Sequence, residues 1–368
     1  MSVPRIALPA LDRGVEIAAA RCLVRELVER GYAYVRHPAL PPDFLRAVKQ
    51  SGRRVLATSS AEKERCAAPA SGFRGFYQYV GASGSGDQIQ CFSLGAPADS
   101  ADAALGLRRG YYEHVGWAAE DMVRAGLDRA NPWPDDVAAE DQRLVSQYRD
   151  VLATDLTHVL LNHISAGIED AFGRELPELW HAGGQSAMAW AHGKGDGNLE
   201  VKMYPAATTA PTDDVPKVAK INRKVLRGRA DASAATPPPS LGDAPPKRAM
   251  ERLSTHQDLS SVTILAQDAM GGLEVLDTAT DRYVAVPVLE DAVLVNAGVF
   301  MERWTEGRIA ATPHRVRNTT TDATSRDRCS IVYFAFPDFD SSTAPLLAED
   351  RSRPADQYQK AGDLHPLT

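Results

Sequence analysis

The sequence predicts a β-dominated α+β fold: a double-stranded β-helix (jelly-roll) core with an N-terminal cap of helices and strands and one long backbone helix. Three observations support this prediction. Short β-branched runs separated by Gly and Asp turns fill the chain after residue 258, which is typical of two packed antiparallel sheets. Apolar residues recur at helical spacing over about 139–172. Shorter helical and strand patterns alternate nearer the N-terminus.

The N-terminal elements have clear end signals. Gly31 follows a helical pattern, and glycine is favoured just beyond a helix end. Ser59 and Glu62 have the spacing of a capping box. The predicted elements are an edge strand over 3–9, a helix over about 13–30, a strand over 32–37, a helix beginning at 41–43 and a strand over 88–95.

After the long helix, apolar residues recur at every second position, which is typical of strands. This pattern predicts a strand over Ser186–His192 and a second strand over Leu199–Tyr204. Glu200, Lys202 and Tyr204 share one face of the second strand. If that face looks into the barrel, Glu200 and Lys202 are candidate substrate-binding residues, because such groups are costly to bury without partners. The alternative is a polar face turned to solvent.

Residues 206–250 interrupt the strand pattern. A basic run over 217–229 contains no acidic residue, and proline-rich, linker-like sequence follows it. One interpretation is a solvated helix on a flexible insertion. The other is a mobile basic lid that closes over an anionic substrate.

Composition and charge exclude several classes of protein. The 368-residue chain has a formal net charge of −7, which argues against a nucleic-acid partner and against a membrane surface. Its four scattered cysteines have no paired spacing and are expected to be reduced thiols. No signal-peptide pattern and no long apolar run is present, so the sequence predicts a cytoplasmic protein.

A candidate metal site lies in the β-rich part. His256 and Asp258 stand at i and i+2, so their side chains point the same way on an extended backbone, and His314 follows downstream. Two imidazoles and one carboxylate are the facial triad of non-haem Fe(II) oxygenases, which leaves metal positions open. The alternative for the His-x-Asp pair is an ordinary surface hydrogen bond.

A candidate carboxylate site follows on the last predicted core strand. Arg328 and Ser330 also stand at i and i+2, and a guanidinium binds a carboxylate with two parallel hydrogen bonds. A dicarboxylate co-substrate could bind the metal at one end and this arginine at the other. The alternative for Arg328 is a salt bridge at the rim of the barrel.

These motifs together resemble the isopenicillin N synthase-like family of Fe(II)/2-oxoglutarate-dependent dioxygenases, and the resemblance extends over most of the chain. The most specific matching stretches are 256–268, 271–275, 294–298, 312–316 and 328–330, and weaker ones lie at 6–8, 31–37, 62–63 and 74–76. The stretches 90–95 and 333–337 resemble bacterial β-lactam expandases and ethylene-forming enzymes. This favours a role in bacterial specialised metabolism such as antibiotic biosynthesis.

The resemblance implies a role for each matching residue. His256, Asp258 and His314 would bind Fe(II), and no catalytic side chain beyond this metal centre is expected. Arg328 and Ser330 would hold the distal carboxylate of 2-oxoglutarate, and Tyr204 belongs to a tyrosine-proline motif that lies near this co-substrate. Two features depart from the family pattern. Lys202 stands where some relatives carry Asn or Arg, and the 206–250 insertion is longer than usual. Both fall around the expected mouth of the substrate site, so they bear on which substrate is bound.

The resemblance also implies the domain organisation and the reaction. It divides the chain into a cap (1–120), an oxygenase core (121–345, with the 206–250 insertion) and a C-terminal tail (346–368). The expected enzyme uses Fe(II), 2-oxoglutarate and O2 to hydroxylate, desaturate or cyclise a small-molecule substrate. An anionic substrate is one possibility. A monomer or small homo-oligomer is expected. The alternatives are an Fe(II) oxidase of the same fold without 2-oxoglutarate, and a non-catalytic ligand-binding barrel.

Overall fold

The structure is a computed structural model that describes residues 3–68, 74–80, 88–96, 130–205, 251–317, 326–347 and 360–361. Within these ranges, no helix combines the length and the apolar character that a membrane span requires. The predicted 206–250 insertion and most of the predicted C-terminal tail lie outside the described residues.

Two sheets form the core of the described chain. The larger one has eight strands in the order β1-β2-β10-β7-β12-β5-β4-β3, and the smaller one has four in the order β6-β11-β8-β9. The strands are β1 (Arg5–Ala7), β2 (Tyr32–Arg36), β3 (Gly75–Val80), β4 (Gln88–Leu94), β5 (Asn198–Tyr204), β6 (Glu251–His256), β7 (Val262–Gln267), β8 (Leu273–Asp277), β9 (Arg282–Ala285), β10 (Val293–Ala297), β11 (His314–Arg317) and β12 (Arg328–Ala335).

The path of β5 to β12 between the sheets is that of a double-stranded β-helix. The chain passes from the large sheet (β5) to the small one (β6), back (β7), to two small-sheet strands (β8, β9), and then through β10, β11 and β12 in alternation. Apolar residues of both sheets, including Leu253, Val275, Leu265 and Val332, form one buried cluster between them. The predicted jelly-roll core is confirmed.

The helices cover the outer face of the large sheet. Residues such as Val201 and Ile331 turn outward and join the helices in a second buried cluster. The helices are α1 (Ile17–Arg30), α2 (Pro42–Leu56), α3 (Ser60–Arg65), α4 (Ala139–Val151), α5 (Thr157–Phe172), α6 (Ala187–Trp190) and α7 (Val299–Trp304). A π-helical segment, Leu152–Leu156, joins α4 to α5, so the predicted long helix is present with one irregular turn.

The N-terminal strands extend the large sheet at both edges. β2 pairs antiparallel with β10 and carries the short parallel edge strand β1, while β4 pairs with β5 and carries β3. The predicted ends of α1 and α3 are present: Gly31 is left-handed at φ 77°, and the Ser59 side chain accepts a hydrogen bond from the Glu62 N–H. The domain boundaries at 120 and 345 stay a prediction.

The strand predicted over Ser186–His192 is wrong, because this stretch contains α6. The Ser186 side chain accepts the Ala189 N–H and starts a helical turn, and His192 Nδ1 lies 2.8 Å from the Met188 carbonyl oxygen. Met188 is buried while Trp190 is 60% exposed, so the two do not share a face. In addition, residues 309–311 are among the short runs after residue 258 that predict strands, but they are not a strand, and helix α7 was not predicted.

Replacing Gly167 with valine is expected to destabilise the protein. A Cβ at this position of α5 would lie 2.6 Å from the Ala20 carbonyl oxygen and 2.6 Å from Val24 Cγ2, so α1 and α5 would have to separate. We expect a loss of about 1–3 kcal/mol in the free energy of unfolding, measured with urea. Ala171→Val, on the exposed part of α5, controls for the low helix propensity of valine. Equal losses in the two variants would contradict this packing.

Candidate active site

Two histidines face each other across a strand pair. His256 ends β6, His314 begins β11, and the two residues are direct partners in the antiparallel ladder. Their ring centroids are 4.2 Å apart. On its other side β11 pairs with β8, where His314 opposes Val275, so the position of His314 is fixed from both neighbouring strands.

Backbone carbonyls orient both imidazoles. His256 Nδ1 lies 2.8 Å from the Ser254 carbonyl oxygen, and His314 Nδ1 lies 3.0 Å from the Thr312 carbonyl oxygen. A carbonyl oxygen can only accept, so each Nδ1 carries the proton and donates it. The lone pair of each neutral ring is therefore on Nε2, the atom that points to the shared centre.

Asp258 supplies a carboxylate to the same centre. Its Oδ1 lies 3.6 Å from Nε2 of His256 and 3.6 Å from Nε2 of His314. Its Oδ2 accepts hydrogen bonds from Thr263 Oγ1 at 2.8 Å and Asn296 Nδ2 at 3.1 Å. Burial alone would raise the pKa of Asp258, but the two imidazoles and these hydrogen bonds hold its pKa below the ordinary value.

A close backbone contact holds the Asp258 loop. The N–H groups of Gly298, Val299 and Phe300 donate to carbonyls of residues 258–261, which ties this loop to the start of α7. A Cβ on Gly298 would clash with the Ser260 carbonyl oxygen, so only glycine permits the approach.

The three side chains together fit a metal ion. Their ligand atoms all lie within 4.8 Å of one another, and they are the one such His, Cys, Asp or Glu cluster in the part of the chain that the structure describes. Two neutral imidazoles and one ionised carboxylate on one side of the centre are the donor set that Fe(II) takes in facial-triad sites. The structure thus brings together all three predicted ligands.

Arg328 lies in the wall of the same cavity and is 2% exposed. Its Nε donates to the Gly271 carbonyl at 2.7 Å, its Nη1 to Ser330 Oγ at 3.3 Å and its Nη2 to Gln267 Oε1 at 3.4 Å. A guanidinium has five N–H donors, so two remain for a ligand, which is the number that one bidentate carboxylate accepts. The alternative of a rim salt bridge is not present, because no acidic side chain of the described residues binds Arg328.

The ring of Tyr204 supports Arg328 from one side, and Arg252 is tied to the Tyr204 backbone. Tyr204 opposes Arg328 across β5 and β12, and its ring lies under the guanidinium at 4.7 Å. Arg252 Nη1 donates to the Tyr204 carbonyl at 3.0 Å, which joins the two strand ends on either side of residues 206–250. Arg252 belongs to no sequence motif and was not predicted as a site residue.

Glu200 and Lys202 turn toward the inside of the barrel, so the solvent-facing alternative is wrong. Lys202 lines the cavity and opposes Ser330, and its ammonium lies 2.7 Å from Glu200 Oε2. Tyr77 donates its hydroxyl to Glu200 Oε1 at 2.8 Å. Burial alone would lower the pKa of Lys202, but Glu200 holds that pKa above its ordinary value, so the lysine is charged.

The cavity between the sheets is otherwise apolar. Its wall contains the three metal-ligand candidates and Arg328, Ser330, Tyr204 and Lys202. The aliphatic lining residues come from both sheets: Leu253, Leu265, Leu273, Val275, Leu294, Val316 and Val332. Asn296, Thr263 and Gly298 were not predicted as site residues, although all three stand in stretches that carry the family resemblance.

Residues 238–337 match the family model described as "2OG-Fe(II) oxygenase superfamily". The chain is 39% identical over 103 residues to the 2-oxoglutarate-Fe(II) type oxidoreductase ppzD of Metarhizium majus, which is 27% of this chain and 29% of that protein. It is 34% identical over 113 residues to proline hydroxylase buaE of Petromyces alliaceus, which is 30% of this chain and 35% of that protein. The similarity therefore spans about a third of these fungal relatives.

Solved structures share the fold over nearly the whole chain. A full-length Neurospora crassa protein, solved in complex with alpha-KG and thymine, superposes with a TM-score of 0.62, at 18% identity, over 95% of this chain and 91% of that one. The rice dioxygenase for auxin oxidation superposes with a TM-score of 0.56, at 19% identity, over 100% of this chain and 94% of that one. At this level of identity the likeness concerns the fold alone.

Replacing Thr263 with valine is expected to weaken metal binding. The change keeps the side-chain shape but removes the hydroxyl that donates to Asp258 Oδ2. Loss of a group that orients a ligand typically lowers metal affinity by about ten- to a hundredfold. The measurement is an anaerobic Fe(II) titration against a chelator of known affinity.

The matched control is Thr255→Val. Thr255 is next to His256 but is exposed, and its hydroxyl accepts the Tyr283 hydroxyl proton at 2.8 Å. Its Fe(II) affinity should stay at the wild-type level. Unchanged affinity in Thr263→Val would contradict the role given to the Asp258 hydrogen bonds.

Proposed function

Because residues 238–337 match the 2OG-Fe(II) oxygenase superfamily model, we propose that the chain is an Fe(II)- and 2-oxoglutarate-dependent oxygenase that oxidises a small molecule. One observation carries this proposal. A cluster of three ligand atoms within 4.8 Å and a buried arginine with two unused N–H donors open into the same cavity. A 2-oxo dicarboxylic acid is the ligand class that needs both groups at once.

We propose His256, Asp258 and His314 as the ligands of Fe(II). The backbone carbonyls hold both imidazoles in the tautomer that offers Nε2, and Thr263 and Asn296 hold Asp258 so that Oδ1 faces the centre. Ligands that are fixed before the metal binds lose little freedom on binding. When bound, Fe(II) in this family supplies the oxidative decarboxylation of 2-oxoglutarate to succinate and CO2, coupled to oxidation of the substrate.

We propose that Arg328 and Ser330 bind the distal carboxylate of 2-oxoglutarate and that Tyr204 completes this co-substrate site by holding Arg328. Arg328 is fixed by the Gly271 carbonyl and by the ring of Tyr204, so its two unused N–H groups keep one direction. Ser330 Oγ accepts from Arg328 and keeps its own proton for the ligand. In a buried site these charge-assisted hydrogen bonds are shielded from water and gain strength.

The substrate would enter the same cavity, where the aliphatic lining excludes water from the reacting atoms. Lys202 lines the cavity and pairs with Glu200, and these two residues are the candidates for binding a polar or anionic group of the substrate. The basic segment over 217–229, the other candidate, lies outside the described residues. Hydroxylation is the default outcome, with desaturation and ring formation as alternatives. Among the similar proteins, buaE is named a proline hydroxylase and the Neurospora crassa protein was solved with thymine, so proline and thymine belong in a first substrate panel.

Bacterial specialised metabolism, antibiotic biosynthesis, cytoplasmic location and a monomeric or small homo-oligomeric state stay predictions from the sequence. The curated relatives named above are fungal, so they lend no weight to a bacterial origin.

Turnover with 2-oxoglutarate tests the proposed activity. The purified chain is incubated with Fe(II), ascorbate, O2, 2-oxoglutarate and a panel of small molecules, and succinate is measured. We expect substrate-stimulated succinate release that is abolished in His314→Ala. His181→Ala changes an exposed histidine outside the cluster and should retain the activity.

Two other outcomes would replace the proposal. Substrate oxidation without succinate release would indicate an Fe(II) oxidase of the same fold that does not use 2-oxoglutarate. No uptake of Fe(II), together with a His314→Ala variant that behaves like the wild type, would indicate a non-catalytic ligand-binding barrel.

Removal of the Arg328 charge tests the co-substrate site. Arg328→Met should raise the 2-oxoglutarate concentration required for half-maximal succinate release by about tenfold or more, because a charge-assisted bidentate pair is lost. Arg315→Met is the control: Arg315 also lies over a tyrosine ring, that of Tyr283, and pairs with Glu274 outside the cavity lining. Similar effects of the two changes would contradict a specific carboxylate site at Arg328.

A further inference from the structure

We propose that Gln267 is a further co-substrate-binding residue, whose side-chain amide donates a hydrogen bond to the distal carboxylate of 2-oxoglutarate. This inference rests on the proposed function and deepens it, because no motif in the sequence assigned a role to this side chain. It would make Gln267 a determinant of selectivity for dicarboxylic over monocarboxylic 2-oxo acids.

Strand register places Gln267 beside the proposed carboxylate site. Gln267 ends β7 and directly opposes Ser330 on β12, and Ser330 in turn opposes Lys202 on β5. Directly opposed residues of antiparallel strands project from the same face. The inner face of the large sheet therefore carries one polar row, formed by Gln267, Ser330 and Lys202. The opposed pair Arg328 and Tyr204 lies next to this row.

The two ends of the Gln267 amide have different surroundings. Oε1 accepts the hydrogen bond from Arg328 Nη2 at 3.4 Å. Nε2 is buried and has no hydrogen-bond partner among the described residues. The reverse orientation of the amide would set Nε2 against a guanidinium N–H, donor against donor, so hydrogen-bond chemistry selects the orientation observed.

An unmet buried donor is unfavourable, and Gln267 is only 5% exposed. The Tyr34 phenol lies near it and donates its own proton to the Pro287 carbonyl. Burial raises the pKa of Tyr34, and the Gln267 amide is one of the groups that offset this rise. Because the amide has two N–H groups, one can face the phenol oxygen while the other donates to a ligand.

The donor count matches a carboxylate. Arg328 has two unused N–H groups, Ser330 has one hydroxyl proton, and one amide proton of Gln267 completes the set. An ionised carboxylate offers about four lone-pair sites. With Gln267 included, every acceptor site of the distal carboxylate has a donor, and the buried Gln267 donor has an acceptor.

Calorimetric titration of the Fe(II)-loaded full chain, without oxygen, tests the inference. The two ligands are 2-oxoglutarate and 2-oxopentanoate, which has the same chain length but lacks the distal carboxylate. Gln267→Met should weaken 2-oxoglutarate binding by about tenfold or more, and Gln267→Glu should weaken it further because a carboxylate there repels the ligand and pairs with Arg328. Binding of 2-oxopentanoate should stay at the wild-type level in Gln267→Met.

Gln142→Met is the matched control. Gln142 Nε2 donates to the backbone carbonyls of Pro134 and Val137, whereas Gln267 accepts from Arg328, so both titrations of the control should match the wild type. Equal weakening of both ligands in Gln267→Met and Gln267→Glu would indicate a purely structural role and overturn the inference. Unchanged 2-oxoglutarate binding in both variants would overturn it as well.

The same titration separates this inference from the proposed function. A wild-type chain that binds Fe(II) but not 2-oxoglutarate would overturn both. A wild-type chain that binds 2-oxoglutarate normally, with Gln267 variants indistinguishable from it, would overturn only the role of Gln267.

Discussion

The pairing of β6 with β11 is the constraint on which the candidate site depends. It sets His256 opposite His314, and the carbonyls of Ser254 and Thr312 then fix which nitrogen of each ring faces the centre. Asp258 follows just after β6, where the backbone contact at Gly298 holds its loop. A shift of one residue in this register would turn one imidazole to the outside of the small sheet.

The large sheet supplies two cations to the cavity wall, Lys202 with an acidic partner and Arg328 with neutral ones. Arg328 is held by neutral acceptors and a ring, so its charge is available to a carboxylate. Lys202 is paired with Glu200, so the two together add no net charge to the cavity. Two imidazole nitrogens and one carboxylate on the opposite wall suit a dication, because a buried carboxylate is costly without a cation beside it.

Spacing at i and i+2 was sufficient to predict Arg328 with Ser330, because both lie on β12, where residues at that spacing share a face whatever the partner strands are. The same spacing predicted His256 with Asp258, although Asp258 lies just after the end of β6. Gln267, Asn296 and Arg252 could not be found in this way, since their roles depend on which strands are neighbours and in which register. The strand predicted over Ser186–His192 failed because a period of two over seven residues also fits one helical turn. In this stretch the Ser186 hydroxyl accepts the Ala189 N–H, and this local hydrogen bond favours the helical turn.

The most direct test of the central claim is a crystal structure of the Fe(II)-loaded chain with 2-oxoglutarate, grown without oxygen and measured at the iron absorption edge. The account predicts one anomalous peak bonded to Nε2 of His256, Oδ1 of Asp258 and Nε2 of His314. It also predicts the distal carboxylate of 2-oxoglutarate against Arg328. Iron bound elsewhere, or a 2-oxoglutarate molecule whose distal carboxylate does not contact Arg328, would contradict the account.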